Sequence, residues 1–380
     1  MYTQPSSLQT NNPLFLRRII IQNFRNIELQ ELEFSPNVNC ISGNNGEGKT
    51  NLMDAVYYLS MTKSAFGASD KFNFRYTQDN FAISGTYAMP SGIESRFSIS
   101  VSSDGSKVLK RDDKACQKIS DHIGLLPVVM VSPSDISLVS ESGEERRRFV
   151  NSVISQLDRN YLSNLQQYNR LLLQRNKLLK EGFADPSLLD TFDERLDAFA
   201  EPVSRTRREF TDSIRPVVRE YYSRLSGGME EVDIEYRTDL QKDSLKNILS
   251  ATRDRDRALK FTGSGIQRDD FVFTMNGYPI RKCGSQGQQK SFLVALKFAQ
   301  YEIMKSSYGF APVMLLDDLF DKLDMERVGH LLKMVSGNDF GQIFISDSNK
   351  VRLSSLVDSI TEDRAYFVAE GGAFRKDGER

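Results

Sequence analysis

Residues 43–50 read Gly-Asn-Asn-Gly-Glu-Gly-Lys-Thr, the spacing G-x-x-x-x-G-K-[ST] suited to the phosphates of a nucleoside triphosphate. Gly43, Gly46 and Gly48 let backbone N–H groups turn toward phosphate oxygens at the start of a helix. Lys49 adds positive charge for the terminal phosphates, and the Thr50 hydroxyl can ligate Mg2+. With Asn44, Asn45 and Glu47 inside the loop and Asn51 just after it, residues 43–51 are the candidate nucleotide contacts, and ATP and Mg2+ the implied cofactors. Such a loop needs a carboxylate for its metal. The apolar run Val313–Leu316 delivers Asp317 at the C-terminal end of a strand, where open α/β sheets bind their ligands. Asp318, one residue on, is placed to orient or deprotonate an attacking water. An acidic pair after a strand is ordinarily a helix cap; beside residues 43–50 it reads as ATPase machinery. Lys49, Asp317 and Asp318 are then the catalytic candidates, and Thr50 and Asp317 the metal ligands. A guanine-specific site is disfavoured, because Asn176-Lys177-Leu178-Leu179 lacks the Asp of N-K-x-D.

Nucleotide sites of the ABC type are completed by a Leu-Ser-Gly-Gly-Gln segment from a second subunit, and two stretches compete for that part. Leu225-Ser226-Gly227-Gly228-Met229 closes a long helical stretch: its glycine pair reads as a helix stop, and residues 229–236 then alternate like a strand. A signature acting in trans has to open a helix, so that free N–H groups and the dipole face the neighbour's γ-phosphate. Gly284-Ser285-Gln286-Gly287-Gln288-Gln289-Lys290 does so, with Phe292, Leu296, Ala299 and Ile303 giving the next helix an apolar face. Ser285, Gly287 and Gln288 are therefore the candidate contacts to a partner's γ-phosphate, and 225–229 is a decoy.

The elements that must position these groups follow from hydrophobic period. Residues 14–24 and 27–34 read as strands, 38–41 as a short strand entering the phosphate loop, and Thr50–Ser60 as a helix with Leu52, Val56 and Leu59 on one face. Residues 81–111 read as antiparallel strands turning at Asp104-Gly105, and 127–133 as a buried strand. From 144 to 224 the pattern is helical. Leu157, Tyr161, Leu165, Tyr168, Leu172 and Leu179 form one stripe; after a breaker at 182–187, Phe192, Leu196, Phe199, Val203, Phe210, Ile214 and Val217 form another. These suggest an antiparallel hairpin, either core or protruding arm, whose first arm would run roughly 45 Å and whose second would kink at Pro202 and Pro216. Strands return near 231 and at 269–277, a helix at 288–308, strands at 313–316 and 343–345, and a helix between them at about 325–335. The expected class is α/β: a mixed sheet with an antiparallel β subdomain, interrupted by a helical insertion. The boundaries are a disordered lead-in at 1–13, an N-terminal ATPase half at 14–134, a helical lobe at 135–254 and a C-terminal ATPase half at 255–380.

Composition bounds the rest. Fifty basic against 51 acidic residues leave a net charge of −1, so any polyanion site is a local patch, with Lys63, Lys71, Arg75, Arg111, Lys114 and Arg146–Arg148 as candidates. Three dispersed cysteines and two histidines argue against a disulfide framework or structural zinc. No apolar run of about 18 residues suggests a membrane span, and an intracellular, cytoplasmic protein is expected.

Taken in order, Asn23–Asn26, Gly43–Leu52, Ser132–Asp135 with Glu145–Phe149, Arg268–Asp270, Ser285–Lys290 and Leu315–Asp324 resemble the RecF family of bacterial recombination mediators, within the SMC/Rad50-like ABC ATPases. The resemblance covers most of the chain outside the lead-in and the helical arm. It implies an ABC-type ATPase head with a helical lobe and no long coiled coil. ATP would bridge two heads as a homodimer that grips DNA, duplex or single-strand/duplex junction, and slow hydrolysis would reset it. RecR would be a partner, loading of RecA the outcome, and the nucleoid the location. The resemblance also assigns Leu323-Asp324 to the loop that crosses the dimer interface and Ser132–Asp135 to the region of the glutamine lid, without a Gln. Departures from the family pattern are Gly265-Ile266-Gln267 before Arg268, Phe320–Asp324, Asn151, Asp54, and Asp347 where many ABC ATPases carry a switch His; a carboxylate cannot donate to a γ-phosphate unless protonated. Two rival readings are weighed. A transporter's nucleotide-binding subunit should have a helical insertion of about a hundred residues, and Thr50 and Ser285 lie more than twice that apart. A P-loop kinase of small molecules should act as a monomer with no use for Ser285.

Overall fold

The computed structural model describes residues 13–67, 69–141, 143–182, 185–318, 340–358 and 361–377. The lead-in up to residue 12, the helix expected at 325–335 and Leu323-Asp324 lie outside the described residues. Two units emerge: Met1–Asp135 with Gln300–Arg380, and Ile136–Ala299. The first begins with β1 (Phe15–Phe24), β2 (Ile27–Glu33), β3 (Val38–Ser42), α1 (Lys49–Met61), β4 (Asn80–Ala88), β5 (Glu94–Ser102), β6 (Lys107–Arg111), β7 (Lys114–Ala115) and β8 (Val128–Val131). The second supplies α2 (Ser137–Ser140), α3 (Gly143–Leu157), α4 (Arg159–Glu181), α5 (Pro186–Ser226), β9 (Val232–Arg237), α6 (Leu245–Ala251), α7 (Arg253–Leu259), β10 (Asp270–Met275), β11 (Tyr278–Pro279), α8 (Ile280–Cys283) and the start of α9 (Gln286–Tyr308). The chain then returns to the first unit with β12 (Val313–Leu316), β13 (Ile343–Asp347), α10 (Lys350–Asp358), β14 (Arg364–Glu370) and β15 (Ala373–Lys376).

Two sheets build the first unit. One is antiparallel, in the order β2-β1-β4-β5-β6-β7, and its strands alternate buried and exposed side chains. The other runs β15-β14-β3-β13-β12-β8 and is parallel apart from β15. Every residue of β3, β8, β12 and β13 is buried, as strands covered on both faces require; β8 and β12 accordingly read as unbroken apolar runs, while β3 and β13 also bury Asn39, Ser42, Ser346 and Asp347. One apolar cluster joins both sheets through α1: Leu52, Val56 and Leu59 pack with Ile19, Ile83 and Phe344. Phe34 sets its edge against Phe344 and Phe367, with centroids 4.8 and 5.5 Å apart. Register matters most for function. Ser42 pairs with Asp347 and Leu316 with both Ile345 and Val131, so β3 and β13 end level, β12 ends two residues earlier, and the segments that follow β3 and β12 lie at the same edge of the sheet.

In the second unit, α5 is a helix of 41 residues with Pro202 and Pro216 inside it, packed on α4, α6 and β9. The first arm is not continuous. Asp158 breaks it, leaving the helical path and accepting the N–H groups of Asn160 and Tyr161, so α4 has 23 residues and spans roughly 35 Å. Both stripes are core, with shifts: Leu171 rather than Leu172, and Leu189 and Val218 beside Leu196, Val203, Phe210 and Ile214. Two arginines lie on those stripes, both fully buried: Arg175 bonds Asp193, Asp256 and Thr262 at 2.7–2.8 Å, and Arg207 bonds Asp269. The boundary read at 254/255 falls inside this unit, because β10 pairs with β9.

Candidate nucleotide site

The phosphate loop leaves β3 at Gly43 and enters α1 at Lys49. Gly48 caps the helix at φ 104°, and a Cβ there would lie 2.8 Å from the Asn26 side-chain amide, so the position admits only glycine. Asn26 in turn accepts from Asn51 Nδ2 at 2.7 Å, and Arg25 donates to Asn51 Oδ1 at 3.1 Å. The turn between β14 and β15 buttresses the other side: Gly372 N–H donates to the Glu47 carbonyl at 3.0 Å, and Gly371 N–H to the Glu47 carboxylate. Lys49, 3% exposed, folds into the loop and donates to the carbonyls of Gly43 (2.8 Å) and Asn44 (3.2 Å), with Asp318 3.9 Å away. A cavity of about 340 Å³ opens here, lined by loop residues between Asn45 and Asn51 together with Pro133 and Asp318.

Thr50 Oγ1 donates to Asp317 Oδ2 at 2.8 Å, which brings the loop's hydroxyl and the carboxylate after β12 to one point beside this cavity. Hydroxyl and carboxylate oxygens are the hard donors Mg2+ prefers, and Mg2+ commonly completes its shell with phosphates and water. These residues therefore fit that ion. Among the described residues no cluster of three or more His, Cys, Asp or Glu side chains forms a cage of its own. Burial raises the pKa of Asp317 above the usual carboxylate range, opposed by the hydroxyls of Ser346 and Thr50 and the charge of Lys49. Asp318 adopts φ 42°, a left-handed conformation uncommon outside glycine, asparagine and aspartate.

Ser285, Gly287 and Gln288 belong to the second unit. Ser285 precedes α9 and Gln288 closes a reciprocal cap with it: Gln288 N–H donates to Ser285 Oγ (3.3 Å), and Ser285 N–H to Gln288 Oε1 (2.7 Å). Gly287 lies in that first turn. Glu230 accepts from Gln288 Nε2 at 2.7 Å and from the buried Tyr222 hydroxyl at 3.0 Å. Gly227 ends α5 in the left-handed conformation, so 225–229 is a helix stop, yet the residue just after it pins the candidate signature.

Among the basic candidates, Arg146 is buried and holds Asp270 with bonds of 2.9 and 3.1 Å, and Arg147 donates to the Asp269 carbonyl at 2.7 Å. Both are structural, which corrects their reading as phosphate contacts. Arg148 pairs with Glu144 and Glu145, and Arg75 with Glu28. Lys63, Lys71, Arg111 and Lys114 are exposed. Asp54, buried in α1, is bridged to Arg25 at 2.7 Å and accepts from Ser64 and the Ala65 N–H, locking the Asn23–Asn26 segment to the loop's helix. In 132–135, Asp135 accepts the Ser132 N–H at 2.8 Å. The Asp347 carboxylate is clasped by Arg352 at 2.7–3.0 Å. Sequence reasoning missed Asn26, Glu230, Ser346 and Gly372 as site residues. Only Asn26, in the motif at 23–26, carried a local signal.

The model of the RecF/RecN/SMC N-terminal domain matches residues 15–362. The chain is 42% identical to the DNA replication and repair protein RecF of Parabacteroides distasonis over 94% of its own length and 98% of that protein's, and 41% identical to that of Bacteroides fragilis over 97% and 100%. A structure titled as the recombination mediator protein RecF with ATP in the RecFOR pathway superimposes with a TM-score of 0.87 at 29% identity, covering 96% of this chain and 98% of that one. A Pyrococcus furiosus Smc head domain shares the fold, with a TM-score of 0.55 at 13% identity over 96% of each chain. No helix among the described residues is long and apolar enough to cross a membrane. With a family model spanning nearly its whole length and relatives above 40% identity end to end, the chain belongs to the RecF family, and its α/β fold is that of the ABC-type heads of RecF and SMC proteins.

Proposed function

We propose that this chain is an ATP-dependent DNA-binding protein of DNA replication and repair, dimerising when ATP is bound. The observation that carries the reading is the meeting of Asp317 with Thr50, which lines the phosphate-loop cavity. The loop N–H groups and Lys49 bind the phosphates, Thr50 and Asp317 hold Mg2+, and Asp318 orients the attacking water. Mg2+ supplies charge neutralisation at the terminal phosphates. Ser285, Gly287 and Gln288 of a second copy close the pocket, and the dimer grips duplex or junction DNA through exposed lysines and arginines until slow hydrolysis releases it. The relatives' names and the recombination-mediator title support placing the activity in recombinational repair; RecR as partner and RecA loading as outcome rest on the family resemblance alone.

The test measures oligomeric state and duplex binding with ATP, ADP and no nucleotide. Wild type is expected to dimerise and bind DNA with ATP only. Ser285→Arg is expected to bind ATP within about threefold of wild type yet stay monomeric, because a bulky cation replaces the hydroxyl at the helix tip while every residue of the phosphate loop is kept. ATP-dependent dimerisation of Ser285→Arg at wild-type concentrations would reject the trans assignment.

A further inference from the structure

Ser346, at the end of β13, is fully buried, and its hydroxyl is used twice. It donates to Asp317 Oδ1 at 2.6 Å and accepts the Asp318 N–H at 2.9 Å. A serine hydroxyl has one hydrogen and two lone pairs, so one side chain can serve both carboxylate residues at once. The other oxygen of Asp317 takes the Thr50 hydroxyl at 2.8 Å. The carboxylate is thus fixed from both edges, by the helix of the phosphate loop and by the neighbouring strand, and cannot turn about its terminal bond without breaking a bond. The same hydroxyl anchors Asp318 through its backbone, at φ 42° in the left-handed region.

The strand end that carries Ser346 is itself locked. Asp347, 1% exposed, accepts the Asn349 N–H at 2.7 Å and the Arg352 guanidinium at 2.7–3.0 Å, and it pairs in register with Ser42, the residue before Gly43. An acidic residue at this point is therefore consumed by Arg352 and serves the strand's geometry. We propose that Ser346 is the positioning residue of the nucleotide site: it aims the Asp317 carboxylate at the metal of the bound nucleotide and sets the Asp318 backbone, with Asp347 and Arg352 holding the strand end in place. This inference rests on the ATP reading above.

Removing the hydroxyl leaves Asp317 Oδ1 buried without its donor and frees the carboxylate to rotate, while the loop itself is untouched; the loss falls on the metal-dependent part of binding and on turnover. The experiment compares wild type, Ser346→Ala and Ser346→Thr. It measures affinity for a fluorescent non-hydrolysable ATP analogue with Mg2+ and with EDTA, and kcat and KM for ATP. Ser346→Ala is expected to match wild type within about twofold in EDTA, to lose about tenfold of the affinity that Mg2+ adds, and to lose about tenfold in kcat with a smaller change in KM. Ser346→Thr, which keeps the hydroxyl on a β-branched side chain suited to a strand, is expected to recover most of both. Undiminished Mg2+ dependence and kcat in Ser346→Ala would overturn the proposal, as would a folded Ser346→Thr no better than Ser346→Ala. A wild type that binds no nucleotide at all removes the ATP reading and this inference with it, and is recognised before any variant is compared.

Discussion

Arg207→Ala is expected to lower the stability of the chain by about 3–5 kcal/mol, because it strands a buried carboxylate. Arg207 is 1% exposed and uses its whole guanidinium: Nη1 reaches Asp269 Oδ2 (2.5 Å) and the Ile266 carbonyl (2.8 Å), Nε the Tyr161 hydroxyl (3.1 Å), and Nη2 Asn151 Oδ1 (3.0 Å). Tyr236 donates to the same Asp269 oxygen at 2.6 Å. Four elements of the second unit, α3, α4, α5 and β9, thereby meet around one aspartate of the Arg268–Asp270 segment. Alanine removes these four bonds and leaves Asp269 buried without its countercharge, whereas Arg207→Met paired with Asp269→Leu removes both charges and should cost far less. Urea unfolding followed by circular dichroism at 222 nm checks this. A single-variant loss below about 1 kcal/mol, or a double variant as damaged as the single, would show that the pair does not organise the unit.

Lys49→Ala is expected to weaken ATP binding by roughly 100-fold, about 3 kcal/mol, with little change in folding. The ammonium sits inside the loop, on the carbonyls of Gly43 and Asn44, at the edge of the cavity that Thr50 and Asp318 share. Lys49→Arg is not expected to rescue it. A planar guanidinium is larger than the space an ammonium occupies at 3% exposure, and its fork points differently. Equilibrium titration with a fluorescent ATP analogue provides the measurement, and a change below about threefold would separate Lys49 from the phosphates.

What could be read from the chain beforehand follows contiguity. The phosphate loop, the strand before it and the helix after it form one unbroken segment, and the parallel strands β8 and β12 advertise themselves as short apolar runs because both of their faces are covered. The helix start at Ser285 was legible for the same reason, since cap and apolar face lie within one stretch. Contacts between distant segments left no such trace. Ser346 lies 29 residues from Asp317, Glu230 58 from Gln288, and Gly372 in a hairpin that no motif marked. Arginines misled in both directions. Arg146 and Arg147 look like a surface patch in the run of three, yet they are spent on Asp270 and Asp269. Arg175 and Arg207 sit on apolar stripes, seven residues after Tyr168 and four after Val203, where an arginine opposite Asp193 could have signalled a buried pair. The break at Asp158 was hidden because helical spacing continues across it; only the cap itself, a side chain accepting two N–H groups, ends the helix.

The central claim is that each nucleotide pocket is shared between two copies, with loop and carboxylate from one and the Ser285 helix tip from the other. Mixing Lys49→Ala with Ser285→Arg tests it most directly, because a mixed pair contains one pocket with an intact loop facing an intact Ser285. The account predicts that neither variant alone dimerises with ATP or turns it over on DNA, and that the mixture regains both. A mixture as silent as its components, or Ser285→Arg hydrolysing ATP at the wild-type rate by itself, would contradict it.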